Sequence, residues 1–232
     1  MQNKQINLEE LAFESASIVD YIKDFGPFGV ADFMDLCLSH PTWGYYMAKD
    51  PFGRGGDFTT APEISQLFGE MIALYFLNIW QTTQQQGCFI ELGPGRGTLM
   101  ADIRRTAQIR PDFVADHSFH LVEISPFLKE KQQETLSFCP DICWHDSLGQ
   151  ALEKKPLFLI ANEFLDALGC QQYVMTSDGW QERCVFVDDH QACQWGTFPE
   201  DQHLFVNQAY PFDKKEDISE GAVCEISLTN VS

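Results

Sequence analysis

The stretch Glu91-Leu92-Gly93-Pro94-Gly95-Arg96-Gly97-Thr98 decides how this chain is read. A short apolar run, 88–92, leads into it and an amphipathic stretch, 98–107, leaves it, giving the order strand, turn, helix. Glycines at the end of a parallel strand let the backbone turn sharply and approach a ligand at the carboxyl edge of the sheet. The spacing departs from Gly-x-Gly-x-x-Gly: the third glycine comes one position early, at 97, and Thr98 stands where that fingerprint needs glycine. The Gly-Lys-Ser/Thr of a phosphate loop is also absent. A nicotinamide oxidoreductase would need glycine at 98 and a neutral residue at 91.

The pattern repeats outward from the turn. Phe119–Glu123, Asp141–Trp144 and Leu157–Ala161 read as further strands, with a helix over about 127–136. Continuously apolar strands alternating with helices predict a parallel sheet covered on both faces. Upstream, 8–24 and 30–39 read as amphipathic helices parted by Phe25-Gly26-Pro27-Phe28-Gly29, and Pro62 opens a helix to about Thr82. Along it Ile64, Leu67, Phe68, Met71, Ile72 and Tyr75 recur at helical spacing. From Cys170 the texture changes: 172–175 and 182–187 flank Ser177-Asp178-Gly179, a hairpin signal, and 192–198 fits a third antiparallel strand. The expected division is therefore a helical region over 1–82, a Rossmann-like core over 83–169 and a β-rich insertion over 170–232.

Composition narrows the function. The 232 residues hold 15 Lys and Arg against 34 Asp and Glu, a net charge of −19, and no basic run offsets it. Such a field repels phosphate backbones and anionic lipid, so nucleic acid and membrane surfaces are poor partners and a cationic ligand is favoured. No apolar stretch approaches the roughly 20 residues of a membrane span. Residues 1–5 show neither an apolar signal core nor an Arg-rich amphipathic leader, which makes the cytoplasm the expected compartment. The eight cysteines are scattered; Cys139-Pro-Asp-Ile-Cys143-Trp-His145 has no second Cys or His pair at zinc spacing, so no metal is expected there.

The acidic residues then name the ligand. Glu91, two before Gly93, would repel a pyrophosphate but suits a ligand carrying an amino group and a sulfonium, which is S-adenosylmethionine. Glu123 ends the second strand, 28 residues after Gly95, where a carboxylate accepts from ribose hydroxyls; a surface glutamate closing a strand is the plain alternative. Asp146, after the third strand, is placed to accept from an adenine amine or to cap a helix with Ser147. Asn162-Glu163-Phe164-Leu165-Asp166 follows the fourth strand into the same cleft, and its two carboxylates either face a positive group or start a capped short helix. The cofactor-binding set is thus Glu91, Gly93, Gly95, Gly97, Glu123 and Asp146, and the catalytic set is Asn162, Glu163 and Asp166.

Three blocks carry a family resemblance: Gly56-Asp57-Phe58-Thr59-Thr60-Ala61-Pro62-Glu63-Ile64-Ser65-Gln66-Leu67-Phe68-Gly69-Glu70, the segment 91–99, and Ala161–Ala167. With His40-Pro41-Thr42-Trp43-Gly44-Tyr45-Tyr46 and Leu121–Pro126, they resemble the MidA-like methyltransferases. These are bacterial relatives of the mitochondrial complex I assembly factor that methylates an arginine of a core subunit. The resemblance implies a class I S-adenosylmethionine fold and a protein substrate presenting an arginine, with the N-terminal helices and the Gly56–Glu70 block closing over the cofactor and substrate. It leaves a homodimer open. It implies that Glu163 and Asp166 hold and deprotonate a guanidinium, Asn162 positioning it, with Asp57 and Glu63 secondary.

Two departures stand out. Gly169 and Cys170 replace the family's proline and aliphatic residue. Family members also continue for over a hundred residues beyond a block like Val223–Ser227, which implies that the last strands of the sheet are missing and that the fourth strand is an exposed apolar edge. The rival reading is a truncated, non-catalytic S-adenosylmethionine-binding or assembly protein. A small-molecule methyltransferase keeps the same fold.

Overall fold

The computed structural model describes residues 17–48, 60–201, 206 and 218–227. The chain forms two units, one of residues 1–48 with 166–230 and one of 49–165 with 231–232. The helical stretch after Pro62, expected with the N-terminal region, lies in the second unit.

That second unit is built on four parallel strands: β2 (Gly87–Leu92), β3 (His117–Val122), β4 (Ile142–His145) and β5 (Leu157–Ile160), in the order β4-β3-β2-β5. Leu92 is in register with Val122 and Val122 with His145, so the carboxyl ends of the three strands lie level. One face is covered by α5 (Gln66–Thr83) and α6 (Thr98–Ala107), and its core includes Trp80, Phe89, Met100, Ile103, Phe113 and Phe119. Phe76 sits edge-on to Phe89 and Phe158 at 5.0 and 4.9 Å, which anchors α5 over β2 and β5. The other face holds a smaller core of Cys88, Ile90, Leu92, Val122 and Ala151.

The helix expected from Pro62 to Thr82 breaks in two, α4 (Ala61–Ile64) and α5. Ser65 is the cause: extended at φ −152°, its hydroxyl accepts from the Leu67 N–H at 3.2 Å and caps the second helix. The inward face of α5 also differs from the simple reading. Leu67, Met71 and Tyr75 are exposed, whereas Ala73, Leu77 and Trp80 are buried. A helix apolar almost all round carries no periodic signal for which side faces the sheet.

Gly69 sits where α5 meets α6, and a Cβ there would lie 2.5 Å from Asp102 Cβ. Gly69→Ala is therefore expected to destabilise the protein by about 1–2 kcal/mol, because overpacking outweighs the gain in helix propensity. Urea denaturation checks this; a stabilised variant would show that the helices can separate freely.

β5 has β2 as its one neighbour among the described residues, and Leu157 and Leu159 are each 42% exposed. The apolar edge expected from the sequence is present.

In the other unit, β6 (Gln171–Thr176) and β7 (Gly179–Val187) form the expected hairpin, with Thr176 paired to Gly179 so that the turn is Ser177-Asp178. β8 (Cys193–Asp201) continues on the far side of β7, and β9 (Val223–Ile226) pairs antiparallel with β6. Two N-terminal helices belong here, α1 (Ile18–Phe25) and α2 (Val30–Ser39), joined through β1 (Phe28–Gly29), which pairs with β7. Ser17 caps α1 by accepting from the Asp20 N–H at 3.2 Å. Positions 8–16 of the expected first helix lie outside the described residues.

Candidate cofactor and active site

The sheet's hydrogen-bond ladder runs straight into the glycine turn. Gly93 N–H donates to Val122 O and Glu123 N–H to His145 O, both at 3.0 Å, so the turn and Glu123 stand side by side at one sheet edge. Gly93, Gly95 and Gly97 all have positive φ, at 57°, 55° and 81°. At Gly93 a Cβ would also lie 2.5 Å from Phe164 Cδ2, so the turn packs directly against the block after β5.

Glu91 lies beneath the turn and is 2% exposed. One carboxylate oxygen takes the Met100 N–H at the start of α6, and Oε2 is buried without a partner. Burial pushes its pKa up to about 8, against the smaller opposing effect of that hydrogen bond. The carboxyl acts on the turn from below, by holding α6, with its second oxygen unpartnered.

Glu123 is 7% exposed. Its Oε1 accepts from Ser125 N–H at 2.8 Å and its Oε2 from Gln132 Nε2 at 3.1 Å, and the carboxylate also takes the Ile124 N–H, which leaves about one of its roughly four acceptor sites open. Burial raises its pKa, and these donors partly offset that. Asp146 follows β4 at the same edge but is exposed and paired with Lys129, which holds its carboxyl below the usual range. Ser147 begins the helix Leu148–Ala151 without a side-chain cap.

Sequence reasoning missed Gln132. It sits on α8 (Pro126–Thr135), fully buried, and its amide nitrogen donates to Gly95 O at 2.8 Å as well as to Glu123. Its Oε1 accepts from Trp144 Nε1 at 3.0 Å. One side chain thus ties the glycine turn, the second strand tip and the third strand together. Glu63, a secondary catalytic candidate, instead braces the turn from outside: it accepts from Thr98 Oγ1 at 2.6 Å and pairs with Arg96 at 3.6 Å. Asp57 lies outside the described residues.

Asn162 and Glu163 follow β5 after the single residue Ala161. Glu163 is exposed and held at φ 47°, a left-handed conformation that costs a non-glycine residue energy and recurs where side chains must be aimed. The chain passes between the two units in the short 3₁₀ turn Leu165–Ala167, and Asp166 belongs to the first unit. There its charge, after burial, raises the Tyr46 phenol.

The residues present fit an S-adenosyl ligand. The turn leaves no room for a Cβ at Gly93, Glu91 has an unpartnered buried oxygen, and Glu123 keeps accepting capacity at the neighbouring strand tip.

Comparison with known proteins agrees. The human mitochondrial protein arginine methyltransferase NDUFAF7 is 38% identical over 193 residues, covering 72% of this chain and 43% of its own length. The Drosophila melanogaster homologue is 34% identical over 197 residues, 75% of this chain and 44% of its own. A Burkholderia thailandensis protein crystallised with S-adenosylhomocysteine superposes with a TM-score of 0.68 at 26% identity, over 87% of this chain and 52% of that one. The chain thus spans less than half the length of these curated relatives.

These relatives correct the expected cytoplasmic location, since they are mitochondrial proteins by name. That expectation rested on residues 1–5, and five residues are too few to carry or exclude a leader pattern. A family model described as "Putative S-adenosyl-L-methionine-dependent methyltransferase" matches residues 71–231. The sheet with its glycine turn and that match together place the chain in this methyltransferase family, with the class I fold, as the MidA-like resemblance implied.

Proposed function

We propose that this protein is an S-adenosylmethionine-dependent methyltransferase acting on an arginine of a protein substrate, by resemblance a subunit of a respiratory complex I type. The observation that carries the reading is the cradle at one sheet edge, where three left-handed glycines lie between a buried Glu91 and a buried Glu123. Glu123 and the turn would hold the nucleoside, with Asp146 an outer candidate for the adenine. When bound, the cofactor supplies an electrophilic methyl group on a positively charged sulfur.

The chain's own residues must handle the acceptor. A guanidinium has a pKa above about 12 and a delocalised lone pair, so it needs carboxylates that orient it and localise its charge. Glu163 is assigned to this work, with Asp166 three residues further along the chain and Asn162 positioning. The new N–C bond would form as the methyl–sulfur bond breaks, the sulfur leaving as a neutral thioether with the electron pair, and the N–H proton that the guanidinium then loses would go to Glu163. The left-handed backbone at Glu163 supports this assignment.

Glu163→Gln should lower methyl transfer by about 100-fold or more while S-adenosylhomocysteine affinity stays within about twofold. Calorimetry with that nucleoside, and transfer of labelled methyl to arginine-containing complex I core subunits, read the two effects separately. Equal losses in both would remove Glu163 from catalysis. A second reading, a non-catalytic binding or assembly protein, keeps the same glycine cradle and drops the transfer. Tight nucleoside binding with no transfer to any arginine substrate would decide for it.

A further inference from the structure

A second cluster of reactive side chains lies on the opposite, thinly covered face of the same sheet. Cys88 of β2, His120 of β3 and Glu153, just after α9 (Leu148–Ala151), bring one ligand atom each to within 4.8 Å of one another. Cys88 and His120 are buried, at 1% and 6% exposure, while Glu153 is half-buried and opens the cluster to solvent. Cys88 stands five residues before Gly93, about 16 Å along an extended strand, so this is not part of the glycine-turn site.

We propose that Cys88, His120 and Glu153 form a zinc site that cross-links β2, β3 and the connection from α9 to β5. The donor set selects the ion. One thiolate sulfur, one imidazole nitrogen and one carboxylate oxygen suit borderline Zn²⁺ in four-coordination, with water as the fourth ligand, whereas Mg²⁺ and Ca²⁺ take six or more oxygens.

The surrounding groups are those a metal site needs. His120 Nε2 lies 3.1 Å from Glu153 Oε1, so both point at one place. The other ring nitrogen, Nδ1, lies 2.9 Å from His145 Nε2; a proton on Nδ1 donated to His145 leaves the Nε2 lone pair for the metal. The second Glu153 oxygen is held by Lys155 Nζ at 2.6 Å, which fixes the carboxylate for monodentate binding. The Ser118 hydroxyl faces both the Cys88 thiol and Glu153. On binding, the Cys88 sulfur–metal bond replaces the S–H bond and the thiol proton leaves to solvent.

The packing gives the site a purpose. The face that carries it has a core of five buried residues, against fifteen on the α5–α6 face. A cross-link between segments distant in sequence compensates for a small core.

The test uses the 232-residue chain dialysed against EDTA and titrated with Co²⁺, then Zn²⁺. Wild type should take up one equivalent of Co²⁺ with a thiolate-to-cobalt charge-transfer band that Zn²⁺ bleaches. Cys88→Ser should abolish the band, and Cys143→Ser, at an exposed thiol, should leave it intact. His145→Phe should weaken Zn²⁺ binding by about 10–100-fold. Should Cys88→Ser fail to fold, Glu153→Gln at the half-exposed ligand decides the matter through at least tenfold weaker Co²⁺ binding and loss of the Zn²⁺-induced rise in Tm. No band at one equivalent, a band that survives Cys88→Ser, or a Glu153→Gln variant that binds as wild type does would overturn the proposal.

Discussion

Glu91→Gln is expected to make the ligand-free protein more stable than wild type at pH 8, and no more stable at pH 4.5. The Glu91 carboxyl is pushed from its ordinary value near 4.5 up to about 8 by burial. Below pH 4.5 the group is protonated in both folded and unfolded chains and contributes no difference. Between 4.5 and 8 the unfolded chain ionises it while the folded chain still holds the proton. The folded state then binds more protons, and stability falls as pH rises. At about 1.4 kcal/mol per unit, the penalty reaches roughly 4–5 kcal/mol near pH 8 and levels off above it. Glutamine keeps an oxygen for the Met100 N–H and carries no such titration. The measurement is urea denaturation of both proteins at pH 4.5, 6 and 8. Parallel stability profiles would show that Glu91 is not held in a charge-excluding site. The same substitution should weaken binding of the cationic cofactor at pH 8, because only an ionised carboxylate offers it a counter-charge. A residue that lowers stability where it aids binding is what a ligand site demands.

The parts of this molecule legible from sequence are those written in consecutive residues. The run 88–92, the glycines at 93, 95 and 97, and Glu123 at the next strand tip belong to neighbouring parallel strands, so each strand end carries part of the candidate site. Ser177-Asp178-Gly179 declared its hairpin for the same reason. Features set by tertiary choice stayed hidden. Leu67, Met71 and Tyr75 look as buried as Ala73 and Leu77, because hydrophobicity alone does not say which side of α5 meets the sheet. The helix Pro111–Asp116 is too short to show a period. Cys88, His120 and Glu153 are 32 and 33 residues apart, far from any zinc spacing, and only strand order brings them together. Gln132 gave no signal because its helix has little apolar patterning, so one buried amide among Lys, Glu and Gln neighbours reads as surface.

Gln132→Leu is expected to be the most damaging single change at the cofactor cradle. Leucine fills most of the volume but strips three groups of their partner: the Gly95 carbonyl, Glu123 Oε2 and the Trp144 indole N–H. An orphaned buried group costs about 1–3 kcal/mol, and the Gly95 carbonyl and Glu123 recover part of this through water and Ser125, so a loss of about 3 kcal/mol is expected in urea denaturation. The larger effect falls on the ligand. Without the amide, neither the turn nor the Glu123 carboxylate has a fixed distance to the other, and the nucleoside must order both as it binds. An ordering cost of 2–3 kcal/mol lowers S-adenosylhomocysteine affinity by roughly 30–150-fold. Trp144→Phe separates positioning from plain packing, because it removes only the outer hydrogen bond and leaves both inner ones. It should cost about 1 kcal/mol of stability and change affinity by less than about threefold. If both variants lost affinity in proportion to their stability, Gln132 would be a packing residue, and the rigidity of the cradle would have to come from the glycine turn alone.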